Sequence, residues 1–244
     1  MKKTLVAVGC SHMAGAELDG ENTVSEYNRQ NCFAAQLAKK LHFNYVNVSI
    51  NGASNQFIHR KVIEYITTYM ENPEDVFFLI GWTSSPRMEL RYSEDTDYEY
   101  DNLADFADKK YFPYTSGTHN TSILDNRIKK LNNSIDILFD YDLKENERAT
   151  LAYSTQQILK SLDINYFMIN SCDAIQRTSY TDAIIDRLDI TNYYKPDNEE
   201  YAYFPYCRYV LQHEIFAQYW HHFKPAHDDY TDVLYSLIKE RNIL

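Results

Sequence analysis

A serine that leaves a short apolar run through a glycine is a candidate nucleophile wherever a base can reach it. Residues 8–15 read Val-Gly-Cys-Ser-His-Met-Ala-Gly, which places Ser11 on such a turn with His12 beside it. A second segment, Ser49-Ile50-Asn51-Gly52-Ala53-Ser54-Asn55, offers an unobstructed backbone N–H at Gly52 and a side-chain amide at Asn55. A third, Gly81-Trp82-Thr83-Ser84-Ser85-Pro86-Arg87, again follows an apolar run with glycine and small hydroxyl residues. The fourth, Trp220-His221-His222-Phe223-Lys224-Pro225-Ala226-His227, brings three imidazoles together late in the chain. Nucleophile, oxyanion donors and base are the three parts of acyl-transfer chemistry, and these four segments contain a candidate for each.

Such residues act together only if the fold gathers them. Thr4 to Gly9 is a β-branched run closed by glycine, which predicts a central strand and a sharp turn. Phe33, Leu37 and Leu41 recur at helical spacing, and Tyr45, Val46, Val48 and Ile50 predict a second strand stopped at Asn51-Gly52. Ser54 is placed to cap a helix striped by Phe57, Ile58, Val62, Tyr65, Ile66 and Tyr69. Asn72-Pro73 ends that helix, and Val76 to Ile80 is a third buried strand. A helical region containing Ile123 to Leu143 and Glu147 to Leu162 follows, then a strand at Tyr166 to Ile169. Pro225 suits the first turn of a last helix from about Ala226 to Arg241, because its missing N–H costs nothing there. Strand and helix alternating through short connections predict an α/β fold on a parallel sheet, whose carboxyl edge is where ligands bind. All three early segments fall at that edge.

In this order the four segments resemble the SGNH (GDSL-type) hydrolase family, and more closely its phage and bacterial members whose first block reads Gly-Cys-Ser. The resemblance runs from Val8 to about Leu237 through short blocks. It implies a flavodoxin-like three-layer α/β/α sandwich, Ser11 as nucleophile, the N–H groups of Ser11 and Gly52 as oxyanion donors, and a histidine just before the last helix as base. His222 is the leading base and His227 the alternative; His12 and Trp82 would line the pocket. Cys10 stands where the family usually has an aspartate. Thr83 stands where it has an amide, so the third donor is either the Thr83 hydroxyl or Asn55. Tyr219 and Lys224 occupy the positions, three residues before His222 and His227, where an acid is usual. A dyad or an acid from elsewhere is then required. Two functions follow as expectations: a serine esterase acting on a small polar ester such as an acylated sugar, or the same fold with its chemistry eroded, kept as a carbohydrate-binding or structural module, for instance in a phage particle.

Composition narrows the field. The 244 residues carry 24 Lys+Arg against 35 Asp+Glu, a net charge of -11, and no basic run, which argues against a nucleic-acid binder. Seven of those excess negative charges lie between Tyr92 and Asp108, inside a polar stretch expected to be an insertion at 88–120 that covers the site as a lid. The start, MKKTLVAVGC, imitates a lipoprotein signal, but its apolar run is shorter than the roughly 7 to 15 residues such a core needs. A single domain over 1–244, soluble and cytoplasmic, without membrane association, is expected. The four cysteines form no metal-spaced cluster, no nucleotide-binding glycine motif occurs, and neither metal nor cofactor is expected.

Overall fold

The computed structural model describes residues 2–20, 24–91, 111–115, 140–210 and 221–244. Its main sheet holds β1 (Thr4–Val8), β2 (Asn44–Asn47), β3 (Val76–Trp82) and β6 (Asn165–Asn170), in the order β2-β1-β3-β6 and parallel throughout. The expected strands are therefore present, with β3 reaching two residues further, to Trp82, and β2 ending at Asn47, so that Val48 and Ile50 lie beyond it. Register sets Val8 beside Ile80 and Gly81 beside Ile169, so the loops after β1, β3 and β6 leave from one edge.

Both faces of the sheet are covered, as continuous apolar strands require. Leu5, Ala7, Phe77, Leu79, Phe167 and Ile169 point to one side, where they meet α3 (Phe33–Lys40) and the last helix, α8 (Lys224–Glu240). Val6, Val8, Phe78, Ile80 and Met168 point to the other, against α4 (Asn55–Thr68) and α5 (Tyr141–Ser161). The result is a three-layer α/β/α arrangement. Ser54 caps α4 by accepting the Phe57 N–H at 3.1 Å, and Pro225 sits in the first turn of α8, both as their residue types predict. Helix α5 begins at Tyr141 because Asp140 accepts the Leu143 N–H at 3.0 Å, a cap passed over when Glu147 is taken as the start. The helical expectation for 123–139 lies outside the described residues.

Of the expected insertion, β4 (Arg87–Arg91) and β5 (Tyr111–Thr115) are described; they pair antiparallel as a ribbon separate from the main sheet. The acidic residues 94–108 lie outside the described residues. Among the described residues no helix is long and apolar enough to cross a membrane.

Candidate active site at the carboxyl edge

Ser11 opens α1 (Ser11–Ala14), a single turn set directly on the ends of β1 and β3. Two glycines permit this close seat. A Cβ on Gly9 would stand 2.2 Å from Met13 Cγ, and one on Gly81 would stand 2.5 Å from the same atom. Asn47, at the end of β2, fixes the turn by donating from Nδ2 to the Met13 carbonyl at 3.2 Å. Ser11 itself is almost wholly buried.

The second segment runs alongside, with the Ile50 N–H donating to the Gly9 carbonyl at 3.3 Å. Gly52 adopts φ 71°, a left-handed turn that suits glycine. Asn55, the first residue of α4, clamps the third segment in both directions. Its Oδ1 accepts the Thr83 N–H at 3.0 Å and its Nδ2 donates to the Thr83 carbonyl at 3.1 Å. The Thr83 hydroxyl accepts from Arg87 Nη1 at 2.9 Å and lies 3.5 Å from Cys172 Sγ, so this hydroxyl is already engaged, whereas the Asn55 amide has a second N–H. Trp82 is fully buried in the core and donates its indole N–H to Met168 Sδ at 3.4 Å.

The late histidines meet α1. The His12 ring centroid is 4.9 Å from that of His221 and 6.3 Å from that of His222. His222 is enclosed, its ring packed on Tyr203 and Phe204. His227 uses both ring nitrogens for structure: Nδ1 accepts the Phe33 N–H at 3.1 Å and Nε2 shares a hydrogen bond with the Tyr203 hydroxyl at 3.2 Å. His221, to which the sequence assigns no role, has an acid behind it. Glu17 Oε2 lies 2.7 Å from His221 Nδ1 and also accepts the His221 backbone N–H at 3.3 Å. Glu17 is buried and held at φ 62°, a left-handed conformation that costs a non-glycine residue roughly 1–2 kcal/mol. Its position six residues after Ser11, rather than three before a histidine, hid it from motif reading.

Burial pushes His12 down to about 4; the neighbouring His222 and Arg87 add to this, while Cys10 opposes it. Burial, then His12, holds His221 at about 4 against the raising effect of Glu17, and burial with the other imidazoles holds His227 at about 3. All three are therefore neutral at pH 7, the form in which an imidazole accepts a proton. His12 Nδ1 is buried without a hydrogen-bond partner among the described residues, an arrangement that costs about 1–3 kcal/mol and persists where a ligand can satisfy it. Among the described residues no group of three or more His, Cys, Asp or Glu side chains is arranged to hold a metal.

Sequence reading also passed over the loop after β6, Ser171-Cys172-Asp173, although it repeats the strand-end pattern of small polar residues. Buried Arg148 anchors this loop by donating to Asn170 Oδ1 and the Ala174 carbonyl at 3.0 and 3.1 Å and to the Asp173 carbonyl. Glu145 joins from the same helix, accepting from the Ser85 hydroxyl and from the Gln176 N–H at 3.2 Å.

The three-layer α/β/α architecture is similar to that of solved esterases. A carbohydrate esterase family 2 enzyme with a carbohydrate-binding domain from Corynascus thermopiles (Myceliophthora fergusii) superimposes with a TM-score of 0.50 at 12% identity, over 99% of this chain and 67% of that one. The psychrotrophic esterase EstA from Pseudoalteromonas sp. is similar over 98% of both chains, at 10% identity and a TM-score of 0.48. At such identities the likeness concerns the fold. No curated protein matches the sequence. Residues 15–203, from the end of the turn that carries Ser11 to the start of the helix packed on His222, match the model of DUF6071, a family of unknown function, and the chain belongs to that family.

Proposed function

We propose that this chain is a single-domain serine esterase of the SGNH type, acting on a small polar ester such as an acylated sugar. The observation that carries the reading is the Glu17–His221 pair beside α1, a carboxylate–imidazole unit at 2.7 Å in a chain whose last block lacks the usual acid. Ser11 Oγ attacks the ester carbonyl and passes its proton to His221, while Glu17 orients the ring and stabilises the imidazolium. The N–H groups of Ser11 and Gly52 receive the oxyanion, with the second N–H of Asn55 as third donor. Collapse expels the alcohol with the proton from His221, and water repeats the sequence on the acyl-enzyme. His221 is preferred over His222 as base because His222 is fully enclosed by aromatic rings, and over His227 because both its ring nitrogens are engaged. The fold shared with a carbohydrate esterase supports an acylated sugar as substrate.

The test is hydrolysis of a chromogenic acetyl ester and of an acetylated oligosaccharide by the parent protein, Ser11→Ala, His221→Ala and His222→Ala. Activity lost in the first two variants and retained in the third is expected. A folded parent inert toward both esters, yet binding the sugar, would assign the fold to a binding module instead.

A further inference from the structure

Three strand ends deliver sulfur and its neighbours to one place. Cys10 follows β1, Thr83 follows β3 and Cys172 follows β6, and Cys10 Sγ lies 3.9 Å from Cys172 Sγ although 162 residues separate them in the chain. Thr83 Oγ1 is 3.5 Å from the same Cys172 sulfur. Because that hydroxyl oxygen accepts from Arg87 Nη1 at 2.9 Å, its own hydrogen is directed elsewhere, and Cys172 Sγ is within reach. A thiol and a hydroxyl thus lie against Cys172, and the Arg87 guanidinium is held beside that hydroxyl. Cys10 is fully buried, while Cys172 is half-buried.

We propose that Cys172 is a thiolate nucleophile cradled by Cys10, Thr83 and Arg87, and that it forms a second reactive site on this sheet edge, taking peroxides and other soft electrophiles. The inference is independent of the esterase reading. The physical reason is a division of labour between the two sulfurs. Burial pushes the Cys10 thiol up, so it keeps its proton and donates it. The hydrogen bond from Cys10, followed by the Arg87 charge and the Thr83 hydroxyl, pulls Cys172 down to about 6 against burial and Asp173. Of the remaining cysteines, Cys32 is buried, its thiol donating to the Arg29 carbonyl at 3.4 Å, and Cys207 is buried beneath α8. With a hydroperoxide, Cys172 Sγ attacks one peroxide oxygen. The S–O bond forms as the O–O bond breaks, sulfur gives up two electrons, and the distal oxygen leaves as hydroxide or alkoxide and takes a proton from water. The product is a sulfenic acid.

Iodoacetamide labelling of the native protein, followed by peptide mass mapping at a series of pH values, tests the inference. Cys172 is expected to react first, with a rate inflecting near pH 6 rather than in the ordinary thiol range of about 8.5. Cys10→Ala should move that inflection upward by a unit or more and Cys10→Ser, which keeps a donor, should restore it. If the inflection returns fully to the ordinary range, the rate at pH 6.5 falls roughly fivefold, since a loss of thiolate of nearly a hundredfold is offset by about tenfold greater nucleophilicity. Hydrogen peroxide with dimedone should give an adduct on Cys172, and a Cys10–Cys172 disulfide would equally support the site because it forms through the same sulfenic acid. An inflection of the parent protein above pH 8, first labelling at Cys32 or Cys207, or a Cys10→Ala profile superimposable on the parent would each overturn it. Should Cys10→Ala not fold, the parent profile and Thr83→Val, which removes the other donor, decide the matter.

Discussion

Replacing Glu17 with glutamine removes one charge from the candidate site while leaving its shape. The side-chain oxygen remains available to the His221 ring and backbone N–H groups, which it accepts at 2.7 and 3.3 Å, so the left-handed turn at φ 62° has no new reason to change. What disappears is the attraction between a carboxylate and the imidazolium that exists only after the serine proton has moved. A hydrogen bond to a charged partner contributes about 1.5–3 kcal/mol, and two unit charges near 4 Å at an effective dielectric of 20 interact by about 4 kcal/mol. Converted at about 1.4 kcal/mol per decade, these bounds predict a fall in kcat of between roughly tenfold and a thousandfold. KM should change little, because the ground-state complex holds a neutral ring. Steady-state hydrolysis of an acetyl ester measures both constants, and circular dichroism with thermal melts verifies that the variant is folded. A kcat equal to the parent's, with His222→Ala inactive, would refute the assignment and return the base to His222.

Other consequences can be measured separately. Asn55→Ala should lower kcat by about a hundredfold or more through the lost oxyanion donor, whereas Thr83→Val, whose hydroxyl faces Arg87 and Cys172, should cost less than tenfold; the opposite ranking would make the Thr83 hydroxyl the third donor. Gly9→Ala would press a methyl to 2.2 Å from Met13 Cγ and should destabilise by about 1–3 kcal/mol, seen as a melting temperature several degrees lower, and an unchanged melt would contradict the tight seat of α1. His12 and His221 held near 4, and His227 near 3, bind protons more weakly folded than unfolded, where the value is about 6.5. Stability is then undiminished above pH 6.5 and falls as the pH drops from 6.5 toward 4, each histidine adding a slope of up to about 1.4 kcal/mol per pH unit. Denaturant melts at pH 7, 6 and 5 with the same midpoint would show that these rings are not buried neutral.

The strands were legible because a parallel sheet covered on both faces demands continuous apolar runs, and Val76 to Ile80 admits no other reading. Helix starts were legible where one side chain supplies the cap, as at Ser54, and less so at Asp140, whose cap precedes a first turn of polar residues. Of the candidate site, local chemistry marks Ser11 on its glycine turn, Asn55 at the start of α4, and the late histidines. What sequence hides is partnership across the fold. Neither the 204 residues between Glu17 and His221 nor the 162 between Cys10 and Cys172 leave any periodic trace, because such pairs are made by the order of strands and not by spacing.

The same order of strands explains why the unusual residues of this edge belong together. Cys10 and Thr83 replace an aspartate and an amide of the resembling family, and these two meet at Cys172. A threonine hydroxyl committed to Arg87 and a sulfur is a poor oxyanion donor, so the proposed mechanism gives that role to the amide of Asn55, positioned by its two bonds to the Thr83 backbone. In the proposed mechanism Glu17, in the turn after Ser11, takes the part of the missing late acid. Asn55 reaches this edge from the end of β2 and Cys172 from the end of β6, while Glu17 reaches it from the same turn as Ser11. The proposed acyl transfer needs a carboxylate behind its imidazole and an amide N–H for the oxyanion, and Glu17 and Asn55 offer both; a binding module needs neither, so the Glu17 and Asn55 variants separate the two readings.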